Sequence, residues 1–74
     1  MKEFTVHAEF DDEAGAWLGS NDELPLSTEA STFDALMARV LEIAPEIAAM
    51  NGLIGEGETL RIHFTADRVT APAS

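Results

Sequence analysis

Hydrophobic and polar residues alternate over residues 3–10, as they do in a β-strand with one buried face. The apolar positions of this pattern are Phe4, Val6, Ala8 and Phe10. An acidic turn follows at residues 11–15, in which Gly15 can adopt a positive φ angle. Residues 16–20 then predict a second strand that forms a hairpin with the first, and residues 26–29 predict a short third strand.

The spacing of apolar residues then changes to the period of an α-helix. The apolar stripe comprises Phe33, Leu36, Met37, Val40, Ala44, Ile47 and Ala48, and Leu41 and Ile43 widen it. Ser31 or Thr32 is the predicted N-cap, and Asp34 would complete a variant of the capping box with Ser31. Pro45 predicts a kink or the start of a second short helix, because proline lacks the N–H that a helix interior requires. Residues 51–52, Asn-Gly, predict the end of the helix.

A last strand is predicted from a second alternating pattern near the end of the chain. Its apolar positions are Leu60, Ile62, Phe64 and Ala66, and its polar positions are Arg61, His63 and Thr65. The predicted fold class is therefore α+β, a two-layer β-β-β-α-β sandwich with a mostly antiparallel sheet and one Pro-kinked helix on one face. The other face of the sheet stays open. We expect one domain over residues 1–68 and a flexible tail over residues 69–74.

The length and composition limit how such a chain can be stabilised. A core built from 74 residues supplies only ~3–5 kcal/mol, and the absence of cysteine excludes disulfides and thiolate zinc sites. We therefore expect a homo-oligomer, most simply a homodimer, formed through open strand edges. No apolar run approaches the ~18 residues of a membrane span, so we expect a cytoplasmic protein.

Charge narrows the classes of partner. Fourteen acidic and four basic residues give a net charge of −10, which repels nucleic acid and anionic membranes. The same charge would attract a basic protein and speed its encounter with the chain. The plainer interpretation is that the acidity serves solubility alone.

Acidic residues gather on either side of the single tryptophan in the sequence. We hypothesise a partner-binding surface formed by Asp11, Asp12, Trp17, Asp22 and Glu23. The carboxylates would steer a basic protein and the indole would help to hold it. Asp11 and Asp12 could instead ligate a divalent cation, but turns favour aspartate for backbone reasons alone. The tryptophan could equally be a hairpin-closing core residue near Phe10.

Two histidines offer the alternative function of a small ligand- or metal-binding protein. His7 and His63 fall on the outward face of their strands, where they could combine with Glu9 as ligands of a transition metal. Nucleophilic catalysis lacks its parts, since no nucleophile elbow or phosphate loop is present. We predict no enzyme activity, no catalytic residue and no cofactor.

An ordered string of short motifs resembles the HicB-like antitoxin family, and in particular a small stand-alone branch described as a domain of unknown function. The motifs are Phe10-Asp11-Asp12-Glu13-Ala14-Gly15, Trp17-Leu18, Ser20-Asn21-Asp22-Glu23-Leu24-Pro25, Thr28-Glu29-Ala30 and Thr32-Phe33-Asp34-Ala35-Leu36. The resemblance covers residues 4–52. It implies a truncated ribonuclease-H-like sheet in which the last strand lies parallel beside the first.

The resemblance also implies a function, although the sequence departs from the family's pattern in two places. Antitoxins of this family neutralise a small RNA-cleaving toxin, HicA, by covering its active site, so a small basic toxin is the implied partner. The family's Pro-Gly step is Pro25-Leu26 in this sequence. Full HicB antitoxins also carry a C-terminal DNA-binding module, for which 74 residues leave no room, so autorepression is not expected of this polypeptide alone. A metal-dependent nuclease is the weakest hypothesis, because its substrate would meet a repelling surface.

Overall fold

A computed structural model describes residues 1–55 and 57–68 of the chain. The elements are β1 (Lys2–Asp11), β2 (Ala16–Asn21), β3 (Leu26–Ala30), α1 (Phe33–Met50) and β4 (Leu60–Asp67). The predicted order β-β-β-α-β is confirmed. The predicted flexible tail at residues 69–74 lies outside the described residues.

The four strands form one mixed sheet in the order β3-β2-β1-β4. β1 and β2 pair antiparallel, as do β2 and β3, whereas β4 lies parallel to β1. The chain can return parallel because α1 crosses from one end of the sheet to the other. The α+β class with one helix on one face is therefore confirmed, and β3 and β4 are the two edges of the sheet.

The core lies between the helix and the inner face of the sheet. The alternation in β1 is confirmed, since Phe4, Val6 and Ala8 are buried and the polar residues between them are exposed. The residues of the core with at most 3% exposure are Phe4, Val6, Ala8, Leu24, Leu26, Leu36, Val40, Ala44 and Ala48. Leu24 was not predicted, although it belongs to the turn between β2 and β3 and is fully buried.

The helix begins at a threonine N-cap. The Thr32 hydroxyl accepts a hydrogen bond from the Ala35 N–H at 3.0 Å, which satisfies one of the free N–H groups of the first turn. The alternative cap at Ser31, with Asp34 closing a capping box, is wrong because the helix starts one residue later. Asp34 still lies in the first turn, where its negative charge interacts favourably with the positive end of the helix dipole.

The helix runs without interruption through Pro45, so the predicted second short helix is not formed. It ends as predicted at Asn51, after which Gly52 adopts a φ of 68°. The Gly52 N–H donates to the Ala49 carbonyl at 3.1 Å and the Leu53 N–H to the Ala48 carbonyl at 2.9 Å. These two bonds form a Schellman motif, which satisfies carbonyls that the helix itself leaves free.

Candidate functional site

The first acidic turn joins β1 to β2 and is held by Asp11. The Asp11 carboxylate accepts hydrogen bonds from the Glu13 N–H at 3.0 Å and from the Ala14 N–H at 3.4 Å. The Gly15 N–H donates to the Asp11 carbonyl at 2.8 Å, and Gly15 has a φ of 63° as predicted. Asp11 is therefore a turn-forming residue, while the exposed Asp12 and Glu13 side chains extend from the same turn toward solvent.

The second acidic turn joins β2 to β3 and is held by Asn21. The Asn21 side-chain oxygen accepts a hydrogen bond from the Leu24 N–H, and its amide nitrogen donates to the Thr5 carbonyl. These bonds fix the turn against β1 and direct Leu24 into the core. Asp22 and Glu23 remain exposed at the tip of the turn, where their charges are solvated.

The two acidic turns lie at opposite ends of β2. This strand has six residues, which corresponds to a separation of roughly 17–20 Å. The hypothesised surface is therefore divided into two parts. Asp11 and Asp12 share one end of the sheet with Trp17, whereas Asp22 and Glu23 lie at the other end.

Trp17 lies on the inner face of the sheet, opposite Phe10 in the pairing of β1 with β2. Its ring centroid is 5.4 Å from that of Phe10 in an edge-to-face arrangement and 5.2 Å from that of Phe33. Phe33 in turn packs against Phe64 at 6.3 Å, so four half-buried aromatic rings form a row across the end of the sheet. The predicted proximity to Phe10 is confirmed. Trp17 closes the hairpin and still presents part of its surface to solvent.

A shallow pocket of about 250 Å³ adjoins the first acidic turn. It is lined by Glu9, Phe10, Asp11, Asp12 and Leu18. The lining thus combines three acidic residues with Leu18, which is 40% exposed on the open face of the sheet, whereas the Phe10 ring lies on the inner face against Trp17 and under the guanidinium of Arg68, 4.0 Å from its centroid. A lysine or arginine side chain fits this composition, because its aliphatic stem can cover apolar surface while its head remains beside the carboxylates.

The histidines lie on the open face, as predicted, but each binds its own carboxylate. His7 Nε2 is 3.1 Å from Asp67 Oδ2, and His7 Nδ1 is 3.0 Å from the Thr65 hydroxyl. His63 Nε2 is 2.7 Å from Glu3 Oε1. Glu9 joins neither pair, and the part of the chain that the structure describes contains no group of three or more potential metal ligands.

The two histidine–carboxylate pairs connect β1 to β4 across the open face. The pKa of the Glu3 carboxyl is lowered from its usual 4.5, first by the hydrogen bond from His63 and further by the charges of His63 and Arg61. The side chains of both pairs are about half exposed, and that of Asp67 is 72% exposed, so solvent screens their contribution. They hold the edge strand β4 against β1.

A groove that was not predicted lies between the helix and the edge strand β4. The groove has a volume of about 330 Å³ and is lined by Leu41, Pro45, Glu58, Thr59, Leu60 and Ile62. Leu41 is 56% exposed, so the prediction that it widens the buried stripe of the helix is wrong. Leu41 lies three residues before Ala44, which is buried, and one helical turn before Pro45, which is exposed. This position beside Pro45 is the only signal in the sequence that Leu41 belongs to the exposed flank of the helix.

Comparisons with other proteins place the chain beside relatives without assigned activity. The family described as a domain of unknown function, DUF1902, matches residues 3–74. The crystal structure of a hypothetical protein from Thermus thermophilus, an extremely thermophilic bacterium, superposes with a TM-score of 0.79 at 32% sequence identity. This similarity covers 95% of the present chain and 99% of the Thermus chain. No match was found among curated proteins. Among the described residues, no helix has the length and apolar character needed to cross a membrane.

Proposed function

We propose that this chain, which belongs to the DUF1902 family of unknown function, is a non-enzymatic protein-interaction module of the HicB-like antitoxin type. Its partner would be a small basic protein, such as a toxin, and it would act in the cytoplasm. The motif string of residues 4–52 supports this proposal, as does the net charge of −10. The same proposal includes that the sheet is a truncated form of the ribonuclease-H-like sheet.

The observation that carries the proposal is the first acidic turn with its pocket. Asp12 and Glu13 are exposed beside a concave surface that combines carboxylates with the exposed Leu18 of the open face. Trp17 is half-buried at the same end of the sheet. A basic side chain would find carboxylates and apolar contact with Leu18 in one place, and Trp17 adds an aromatic ring at the same end of the sheet, the residue type enriched in interaction hot spots.

The second acidic turn has a different role in the proposal. Asp22 and Glu23 lie on the far side of β2, too distant to contact a side chain held in the first pocket. Their charges still add to the negative potential of the whole molecule. We therefore assign them to long-range steering of a basic partner, which affects the association rate more than the lifetime of the complex.

The test starts from the reading frames beside the gene for this chain, and a frame that encodes a small basic protein supplies the candidate partner. Its binding is measured by calorimetry and stopped flow at low and high salt, and its RNA-cleaving activity is measured with and without the chain. We compare Asp12→Lys/Glu13→Lys with Asp22→Lys/Glu23→Lys, two variants that change the net charge equally. The first should weaken the complex and shorten its lifetime, whereas the second should slow association by about tenfold at low salt and leave dissociation unchanged.

Two outcomes would reject the proposal. One is a neighbouring basic protein that does not bind the parent chain at micromolar concentration. The other is equal behaviour of the two charge variants in the dissociation rate, which would show that the first turn is not the contact surface. The metal-binding alternative predicts instead that millimolar zinc, manganese or magnesium raises Tm by binding the native state. A rise that disappears in His7→Ala/His63→Ala would favour that alternative.

A further inference from the structure

The strand β4 is an edge strand whose inner face is incompletely covered by its own chain. Within the described residues it pairs with β1 alone, along its full length of eight residues. Leu60, Ile62 and Phe64 point toward the helix side, yet all three remain half-buried. The exposed Leu41 of the helix and the adjacent groove continue this apolar surface. An unpaired edge that carries apolar side chains is a template for pairing with another strand.

The other edge of the sheet differs in each of these respects. β3 has five residues, follows Pro25 directly and contributes the fully covered Leu26 to the core. Its remaining side chains are Ser27, Thr28, Glu29 and Ala30. A strand added beside β3 would gain little apolar contact, so the two edges are not equivalent as docking surfaces.

The sequence of β4 is complementary to itself when two copies run antiparallel. With Phe64 opposite Phe64 of the second copy, Arg61 lies opposite Asp67 and His63 lies opposite Thr65. By symmetry each of these pairs occurs twice, and Ile62 lies opposite Ala66 on the apolar side. Moving the centre to His63 places Arg61 opposite Thr65, and moving it to Thr65 places His63 opposite Asp67 and takes Arg61 out of register with any carboxylate of β4. Only the register centred on Phe64 thus pairs Arg61 with Asp67, the arginine and the aspartate of the strand.

We propose that β4 pairs antiparallel with β4 of a second copy of this chain, with Phe64 on the two-fold axis. The two sheets then form one continuous sheet of eight strands. Because the axis is perpendicular to this sheet, both helices lie on the same side of it. Leu41, Leu60, Ile62 and Phe64 of the two copies face each other between the helices, and the groove becomes part of the interface.

This pairing is independent of the basic partner proposed above. It uses the edge strand and the groove, whereas the proposed contact with a basic partner uses the first acidic turn and its pocket. The expected homodimer thereby acquires a defined surface and register. Failure of the pairing would leave the partner proposal standing, and failure of the partner proposal would leave the pairing standing.

The decisive experiment reverses the charge of Arg61 in one variant and that of Asp67 in another, and then mixes the two variants. Arg61→Asp places Asp opposite Asp at both ends of the paired strands, and Asp67→Arg places Arg opposite Arg. Each variant alone should dissociate at least about tenfold more readily than the parent, since each reversal acts twice in a symmetric dimer. A mixture of the two variants should form heterodimers of parental affinity, because every Asp then faces an Arg. Sedimentation equilibrium gives the dissociation constants, and Glu29→Lys on β3 is the matched control that should behave as the parent.

A second measurement determines the register without relying on charge. The chain has no cysteine, so single cysteines can be introduced cleanly. An equimolar mixture of His63→Cys and Thr65→Cys should cross-link by disulfide faster than either variant alone. Fastest cross-linking of one variant with itself would indicate a neighbouring register and would overturn the proposal.

Three further results would also overturn the proposal. The first is a parent chain that stays monomeric up to ~0.1 mM, well above the concentrations at which specific interfaces form. The second is a mixture of Arg61→Asp and Asp67→Arg that associates no better than either variant alone. The third is a weakened dimer in Glu29→Lys, which would place the interface at β3.

Discussion

The two edges of the sheet both direct apolar residues toward the helix layer, but the helix covers these residues to different degrees. On the β3 side, α1 lies over the strand, and Leu26 and Leu24 are buried to 3% and 0% exposure. On the β4 side, Ile62 and Phe64 point toward the same layer and remain half-buried. Alternation thus identifies which face of a strand is apolar, whereas the position of the helix determines how deeply each residue is buried.

The covered side should respond most strongly to truncation. Leu36 is fully buried, and its methyl groups lie against Gly19 of β2, so close that a Cβ built at Gly19 would be 3.3 Å from them. Leu36→Ala should lower the free energy of unfolding by about 2–5 kcal/mol. Since a core of this size supplies only ~3–5 kcal/mol, the variant should be largely unfolded or melt far below the parent. Far-UV circular dichroism during heating measures the change.

A matched control for this prediction is Leu41→Ala on the exposed flank of the same helix. It removes the same atoms from a side chain that is 56% exposed, and the monomer should lose at most about 0.5 kcal/mol. Equal melting curves for the two variants would contradict the difference in cover that separates the two sides.

The half-covered side should show an intermediate and concentration-dependent loss. Ile62→Ala removes a side chain that is in contact with the core but still partly hydrated. The dilute monomer should lose about 1–2 kcal/mol, less than a fully buried isoleucine would cost.

If β4 pairs with a second copy, the loss should grow at higher protein concentration, because the parent gains stability from dimerisation and the variant gains less. Melting at two concentrations, about a hundredfold apart, distinguishes the monomer contribution from the dimer contribution. A loss as large as that of Leu36→Ala in dilute solution would contradict the partial burial of Ile62.

Much of this fold follows from local patterns in the sequence. The alternation of β1 and β4, the turn at Gly15 and the helix end at Asn51 all depend on neighbouring residues, and each was predicted. Leu24 was missed because it lies in the turn before β3, and the alternation that it shares with Leu26 was not extended back across Pro25. Its burial depends on the side chain of Asn21, which holds the turn against β1.

The candidate site was predicted less well, for a topological reason. Consecutive turns of an antiparallel meander lie at opposite ends of the strand that joins them. Asp11 and Asp22 are close in sequence, yet β2 separates them. The role of Asp11 in holding the turn also depends on side-chain geometry that the residue type alone does not determine. The groove beside β4 depends on where the helix crosses the sheet, which its periodicity does not specify.

The smallest expected effect is a pH-dependent change in Tm for a variant at the β4 edge, which a matched variant at the β3 edge should not show. Glu3 of β1 binds His63 of the edge strand β4 at 2.7 Å, and this hydrogen bond is the main cause of the lowered pKa of Glu3. A carboxyl with a lower pKa in the folded state stabilises the fold above its unfolded pKa of about 4.5, and this stabilisation is lost as the pH falls through the folded value. Glu3→Gln should therefore lower Tm slightly at pH 6, and the difference from the parent should shrink as the pH falls below 4.5 and Glu3 becomes protonated. Glu29→Gln, which removes an exposed carboxylate at the β3 edge, is the matched control and should show no such pH-dependent difference. Since Glu3 is solvent-exposed, the difference should also shrink in high salt. A Tm difference that grows on acidification would contradict the sign of the linkage and would show that the Glu3–His63 pair does not stabilise β4.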